Sequence, residues 1–220
     1  MVPDRRSTGS WAHQTKATLF INRGTQDEHK LTLPVQVARL LDKKKRSGEI
    51  HPSSQADLFY VVDELCRSSA RLRVERLINR REYSELEVRQ KLKQDGYTQE
   101  VIDSCMQRAC DVGLVSNARY ADSFIRSKLY AGWGSSRIAR ELSQKGIDIY
   151  QVPGWPEEYL EGTSELQRAI QLARSRHVTG PKAFEKLVRF LCARGYRTNI
   201  AIEAARAVAQ TPEQESLVDF

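Results

Sequence analysis

A helix-ending pattern occurs three times in this 220-residue chain. The glycines Gly96, Gly146 and Gly195 lie 50 and 49 residues apart. A leucine stands four residues before each glycine, and a branched apolar residue stands four residues before each leucine. The leucines are Leu92, Leu142 and Leu191, and the branched residues are Val88, Ile138 and Leu187. Recurrence at such a period is typical of tandem structural repeats.

This spacing predicts three helices with the same C-terminal cap. Apolar residues four positions apart lie on one face of a helix. A glycine just past the last turn takes the left-handed conformation that closes the helix. The next residue (Tyr97, Ile147 or Tyr196) then contacts the leucine, as in a Schellman cap.

The helix starts differ in sequence but are equivalent in chemistry. Ser84 and Glu87 form a capping box. Gly134 and Ser135 are accepted cap residues, and Pro181 after Gly180 suits a first helical position. A further helix is predicted on each side of these central helices. Each resulting unit of about 45 residues would be only marginally stable on its own, because small domains bury little surface. Stacking of the units would supply a shared core.

The middle unit departs from this pattern after its central helix. Pro153, Gly154 and Pro156 interrupt the third helix, because a proline inside a helix costs about 3 kcal/mol. We expect only a short helix near Pro156–Leu160.

The N-terminal region has a different composition. Residues 17–24 and 30–37 flank a polar turn and predict a β-hairpin, although a helix beginning at Pro34 is equally compatible. A helix from Asp57 to about Cys66 leads into the first unit. The fold class is therefore all-α: three tandem three-helix repeats form an elongated curved solenoid with a small hairpin-like leader. The predicted domains are a disordered tail over 1–15, a leader over 16–56, repeats over 57–115, 116–162 and 163–212, and a tail over 213–220.

Composition narrows the functional class. The net charge is +7, which suits work near nucleic acid. The run Lys43–Arg46 is a solvated loop or helix end, or alternatively a localisation or DNA-binding patch. No signal peptide or membrane-spanning run is recognisable, so we expect a cytoplasmic protein without membrane contact. The four cysteines lack metal-ligand spacing and are expected to be free thiols.

No catalytic motif is recognisable in the chain. The histidines are scattered, and the glycines around Trp133 lack the lysine and spacing of a phosphate-binding loop. We expect no enzyme activity, no cofactor and no metal site.

Basic residues recur at the end of the first helix of each repeat. They could simply compensate the helix dipole, or they could line one side of stacked repeats and contact a phosphate backbone. Tyr120, Phe124 and Tyr130 are expected in the core, whereas Trp133 is the best candidate for partial exposure. The candidate binding residues include Arg119 and Trp133 together with three basic pairs. The pairs are Arg80 and Arg81, Arg126 and Lys128, and Arg174 and Arg176.

Three stretches carry a resemblance to the RecX family of bacterial RecA regulators. They are RREYSELEVRQKLKQDGY (Arg80–Tyr97), GLVSNARYADSFIRSK (Gly113–Lys128) and GSSRIARELSQKGI (Gly134–Ile147). The resemblance covers about two-thirds of the chain, from Leu65 to Val208. It implies a non-catalytic protein that binds RecA and its filament on single-stranded DNA, with weak direct DNA binding. It implies inhibition of filament extension, ATP hydrolysis, strand exchange and co-protease activity in recombination, DNA repair and the SOS response. We expect a monomer, and the alternative is a stand-alone DNA-binding protein built from helix-turn-helix-like units.

Overall fold

The computed structural model describes residues 15–22, 28–160, 162–176, 178 and 180–209. The chain divides into two compact units, unit 1 (Met1–Ser116) and unit 2 (Asn117–Phe220). Helices and one two-stranded sheet make up the regular structure of the described residues, which confirms tandem three-helix repeats with a hairpin leader. Both predicted tails lie outside the described residues, apart from Thr15. None of the described helices is long and apolar enough to cross a bilayer.

Unit 1 begins with the predicted hairpin. Strand β1 (Lys16–Asn22) pairs antiparallel with β2 (Glu28–Pro34), and Leu19 lies opposite Leu31. Pro34 then serves as the N-cap of helix α1 (Val35–Arg46). The stretch around Pro34 therefore contains both structures that its sequence allowed, a strand followed directly by a helix.

Three helices form the first repeat: α2 (Gln55–Ile78), α3 (Glu85–Asp95) and α4 (Gln99–Asp111). The expected separate helix at Asp57 is wrong, because α2 is continuous from Gln55. Its sequence contains no glycine or proline that would end a helix inside it.

Unit 2 contains the second and third repeats. The second comprises α5 (Asn117–Tyr130), α6 (Ser135–Gln144), a 3₁₀ turn (Ile149–Gln151) and α7 (Glu157–Leu160). The third comprises α8 (Glu165–Arg174), α9 (Ala183–Arg194) and α10 (Thr198–Ala209).

Two local predictions for unit 2 had different outcomes. The four-residue helix α7 confirms the interruption by Pro153 and Pro156. The expected start of α9 at Pro181 is wrong: Pro181 and Lys182 lie in a turn, and the Ala183 N–H bonds the Gly180 carbonyl at 2.9 Å.

All three predicted Schellman caps are present. The N–H groups of Tyr97, Ile147 and Tyr196 donate to the carbonyls of Leu92, Leu142 and Leu191 at 3.2, 3.0 and 3.1 Å. The glycine between each pair has a positive φ of 75 to 100°. Each repeat has its own hydrophobic cluster, and the capping leucine is fully buried in it. The caps thus fix where each central helix ends.

Candidate nucleic-acid and protein interface

In unit 1, the predicted pair Arg80 and Arg81 lies just beyond α2, which ends at Ile78. Both residues are exposed. The Arg81 guanidinium stacks 3.7 Å from the centroid of the Tyr83 ring and donates to Glu87 at 3.3 Å. The same Glu87 accepts from the Ser84 N–H at 3.2 Å in the capping box. Arg81 is therefore held by the start of α3, whereas Arg80 is an exposed residue of the turn before it.

In unit 2, Trp133 lies between two cations. The Lys128 ammonium is 4.9 Å and the Arg137 guanidinium 3.8 Å from its ring centroid. Phe124 meets the indole edge-on at 6.5 Å. Trp133 is half-buried, as expected from the sequence. Cation–π contacts of this kind contribute about 0.5–1 kcal/mol at exposed sites, so the indole holds both charges in place.

Arg137 links the second repeat to the third. Its guanidinium donates to the Ala193 carbonyl of α9 at 3.2 Å, while its Nε is buried without a hydrogen-bond partner among the described residues. The N–H of Gly134 also donates to α9, at the Arg194 carbonyl, with a distance of 2.9 Å. A side chain at Gly134 would collide with Gly195, so this joint depends on two glycines in contact.

Two further polar contacts close the same joint. Glu165 of α8 accepts from the Ser135 N–H at 2.9 Å and from its hydroxyl at 2.6 Å. This carboxylate satisfies a free N–H at the start of α6 and faces the positive end of its dipole. Arg168 donates to the Leu129 carbonyl at 2.7 Å, which ties α8 to the end of α5.

A second cation–aromatic cluster lies on the third repeat. The guanidinium groups of Arg176 and Arg194 are 3.9 and 5.3 Å from the centroid of the Phe190 ring. Arg194 also donates to the Ala131 carbonyl at 2.8 Å. This contact places the Phe190 cluster beside the loop that carries Trp133. Within unit 2, the structure thus brings Lys128 and Arg176 to the same inter-repeat joint.

The other candidate residues of unit 2 are more scattered. Arg126 pairs with Asp122 at 3.0 Å and lies 5.0 Å from the centroid of the Tyr159 ring. Burial raises the pKa of the Tyr159 phenol, as does its hydrogen bond to Asp122. Arg119 and Arg174 are exposed, in the first turn and at the last residue of their helices.

One aromatic residue was misassigned from the sequence. Tyr130 was expected in the core but is 97% exposed. It is the last residue of α5, where the helix face that packs inward has already ended. Tyr120 is buried as expected and stacks on Phe124.

Sequence reasoning missed the cations that build the joint, namely Arg137, Arg168 and Arg194. Their partners are backbone carbonyls 39 to 63 residues away, so no local pattern could reveal them. The chemistry of this set is electrostatic: cations lie over aromatic rings, an arrangement that suits an anionic partner. No cluster of metal-ligating side chains occurs among the residues that the structure describes.

Comparison with known families gives two matches in consecutive parts of the chain. The model of the first three-helix domain of RecX matches residues 70–108, and that of the second three-helix domain matches residues 116–152. A regulatory protein RecX of Pseudomonas entomophila is 34% identical over 122 residues, which cover 54% of this chain and 79% of the relative. A regulatory protein RecX of Pseudomonas putida strain W619 is 36% identical over 125 residues, covering 54% and 78%.

Solved structures show the same fold at lower identity. The crystal structure of RecX from Lactobacillus salivarius aligns with a TM-score of 0.53 and 19% identity, covering 66% of this chain and 98% of that one. A second crystal structure of a regulatory protein RecX aligns with a TM-score of 0.54 and 14% identity, covering 86% and 91%.

Proposed function

Because the chain belongs to the RecX family of regulatory proteins, we propose that it binds RecA and the RecA filament on single-stranded DNA. Binding inhibits filament extension and thereby lowers ATP hydrolysis, strand exchange and co-protease activity. The observation that carries this proposal is the ordered match of two successive three-helix units to the first and second RecX domains. The protein acts as a regulator by occupancy and performs no chemistry of its own.

The stacked cations of unit 2 support a surface for an anionic partner. Lys128 and Arg137 on Trp133, and Arg176 on Phe190, are held in place before binding. Cations fixed in this way lose less side-chain entropy on binding than freely rotating ones. A filament of protein and DNA presents both carboxylates and phosphates to such a surface. Direct binding to DNA alone uses the phosphates only and is therefore weaker.

Inhibition follows from mass action. A protein that binds one state of the filament stabilises it by RT ln(1 + [L]/Kd), about 2.7 kcal/mol at one hundred times Kd. This is enough to shift a dynamic assembly between growing and blocked states. Neither a cofactor nor a metal is required.

The test is RecA-catalysed ATP hydrolysis on single-stranded DNA. We expect the rate to fall as the protein is added, and the Arg80→Ala/Arg126→Ala/Arg176→Ala variant to inhibit less. The matched control is Arg108→Ala/Arg140→Ala/Arg206→Ala, which removes one exposed arginine from each repeat but none from the first-helix ends. No inhibition by the unmodified protein at several-fold excess over filament would exclude the proposal. Equal loss in both triple variants would exclude these first-helix arginines as contacts.

The alternative is a DNA-binding protein that acts without RecA. It predicts tight and sequence-selective binding to duplex DNA, with the salt dependence that phosphate contacts produce. Measurement of duplex binding across several sequences in the absence of RecA separates the two functions.

A further inference from the structure

Helix α1 carries a concentration of positive charge that the filament proposal does not use. Its 12 residues include five basic side chains and one acidic one, in a chain whose net charge is +7. The negative end of the helix dipole accounts for cations in the last turn, at Lys43–Arg46. It does not account for Arg39, which lies in the second turn, because the dipole acts only within the terminal turns.

One exposed face of α1 carries two of these charges, Arg39 and Lys43, in line with Gln36. Gln36, Arg39 and Lys43 follow the i, i+3, i+7 spacing of a single helix face and are all exposed. The buried residues Val37 and Leu41 lie on the other side of the helix. At a rise of 1.5 Å per residue, Arg39 and Lys43 are about 6 Å apart along the axis.

Helix α2 adds two arginines to this face. The Arg76 guanidinium donates to the side-chain oxygen of Gln36 at 3.4 Å, which brings it to the start of α1. Arg73 and Arg39 line the same surface cavity, of about 410 Å³. The carboxylate in that cavity is Asp95, which pairs with Arg73 at 2.7 Å.

Two of the arginines on this face, Arg39 and Arg76, have no carboxylate partner among the described residues. Among the described residues, no carboxylate lies within ion-pair distance of Arg39, and the partner of Arg76 is the neutral Gln36 amide. Other arginines of the same two helices do have carboxylates four residues away, such as Arg46 with Asp42 and Arg67 with Asp63. Cations gathered without counter-ions repel one another, and an anionic ligand relieves that repulsion.

We propose that the α1–α2 basic face, formed by Arg39, Lys43, Arg73 and Arg76, binds the phosphate backbone of nucleic acid. The proposal goes beyond the filament function, because none of these residues belongs to the first-helix pairs or to the joint in unit 2. A row of cations suits a polymer with one charge every 3.4 Å along each strand better than it suits a single phosphate group. Binding through the backbone is independent of base sequence.

The test measures binding of the full chain to a fluorescent single-stranded oligonucleotide without RecA, over a range of salt concentrations. On a single strand, each phosphate contact contributes about 0.7 to the slope of log K against log salt. The Arg39→Ala/Arg76→Ala variant should therefore lower the slope by about 1.4 and weaken binding equally for oligonucleotides of different sequence.

The matched control is Arg71→Ala/Arg108→Ala, which removes the same charge from exposed positions of unit 1 outside the α1–α2 basic face. The Arg71 charge acts on Cys105 of α4: burial raises the pKa of this thiol, and the nearby arginine opposes the rise. This control should leave the slope within about 0.5 of the unmodified protein, since neither residue belongs to the proposed face.

Three results would overturn the proposal. Equal slopes for the test variant and the unmodified protein would show that the face makes no phosphate contacts. Equal loss in both variants would show a general effect of net charge. Binding of micromolar inorganic pyrophosphate to this face, together with a DNA slope that the Arg39→Ala/Arg76→Ala variant leaves unchanged, would assign the face to a small phosphate ligand. Inhibition of RecA does not enter this assay, so the outcome is separate from the fate of the filament proposal.

Discussion

Substitution of Gly134 by alanine probes the joint between the second and third repeats. Gly134 has a φ of −80°, a conformation open to any residue. At such a position glycine-to-alanine exchange ordinarily stabilises a protein by about 0.4–1 kcal/mol. A methyl group here, however, would lie 2.5 Å from the carbonyl carbon of Gly195 and from the amide nitrogen of Tyr196.

The expected cost has two parts. Forcing a methyl into a packed contact costs about 1–3 kcal/mol. Loss of the hydrogen bond from the Gly134 N–H to the Arg194 carbonyl costs a further 0.5–1.5 kcal/mol, roughly. We therefore expect Gly134→Ala to destabilise unit 2 by about 2–4 kcal/mol. At about 4–8 °C for each kcal/mol in a domain of this size, Tm should fall by at least about 8 °C.

The assay is thermal unfolding followed by circular dichroism, with hydrogen exchange to locate the effect. Exchange should accelerate in the segments around Gly134 and Gly195. The comparison variant is Gly180→Ala, in the same unit, where no atom lies within 4 Å of the new methyl group and only the left-handed φ of +95° is strained. The Gly180→Ala substitution should cost about 1–2 kcal/mol. It should leave hydrogen exchange at the joint unchanged. An unchanged or raised Tm for Gly134→Ala would refute the close approach of the two glycines.

Three further variants test local features. Ser84→Ala should lower the free energy of unfolding by about 1–2 kcal/mol in urea titrations, because it removes a buried capping-box hydroxyl, and a cost near zero would disprove that role. Burial raises the pKa of the Cys66 thiol from 9.0 to about 11, so its contribution to stability is intact below pH 9 and is lost as pH rises through 11. Urea midpoints from pH 8 to 11 should therefore fall less steeply for Cys66→Ala, and identical curves would contradict the shift. Arg137→Ala should increase the solvent exposure of Trp133, seen as a red shift in the tryptophan fluorescence of the protein relative to Arg140→Ala, whereas unchanged spectra would argue against the stacking.

The helix caps were predictable because their chemistry is local. A leucine, a glycine four residues later and an apolar residue next are enough to define a Schellman cap, and all three are in place at Leu92, Leu142 and Leu191. The interruption of the second repeat was equally local, since Pro153 and Pro156 exclude a long helix wherever the chain packs.

Long-range contacts were not predictable from the sequence. Glu165 caps α6 across 30 residues, and Arg194 reaches the Ala131 carbonyl across 63. Only the fold brings such partners together, so Arg194 looked like any other helix-terminal cation. Trp133, which the sequence left without an architectural partner, proves to hold Arg137 at the joint.

The basic pairs illustrate both outcomes. Their place near the end of each first helix could be predicted from the sequence, and Lys128 and Arg176 do lie at the joint in unit 2. What each cation contacts depended on neighbours that no spacing specifies, such as Phe190 under Arg176 and Tyr83 under Arg81. Their role in binding stays a prediction.

Affinity for the assembled RecA filament decides whether this protein is a filament regulator. RecA filaments formed on single-stranded DNA with a non-hydrolysable ATP analogue, and the same DNA without RecA, are titrated with this protein under identical salt conditions. A regulator of the filament should bind the filament at least tenfold more tightly than the bare strand. Equal affinity for the two, or tighter binding to the bare strand, would exclude a filament regulator and favour a protein that acts on DNA alone.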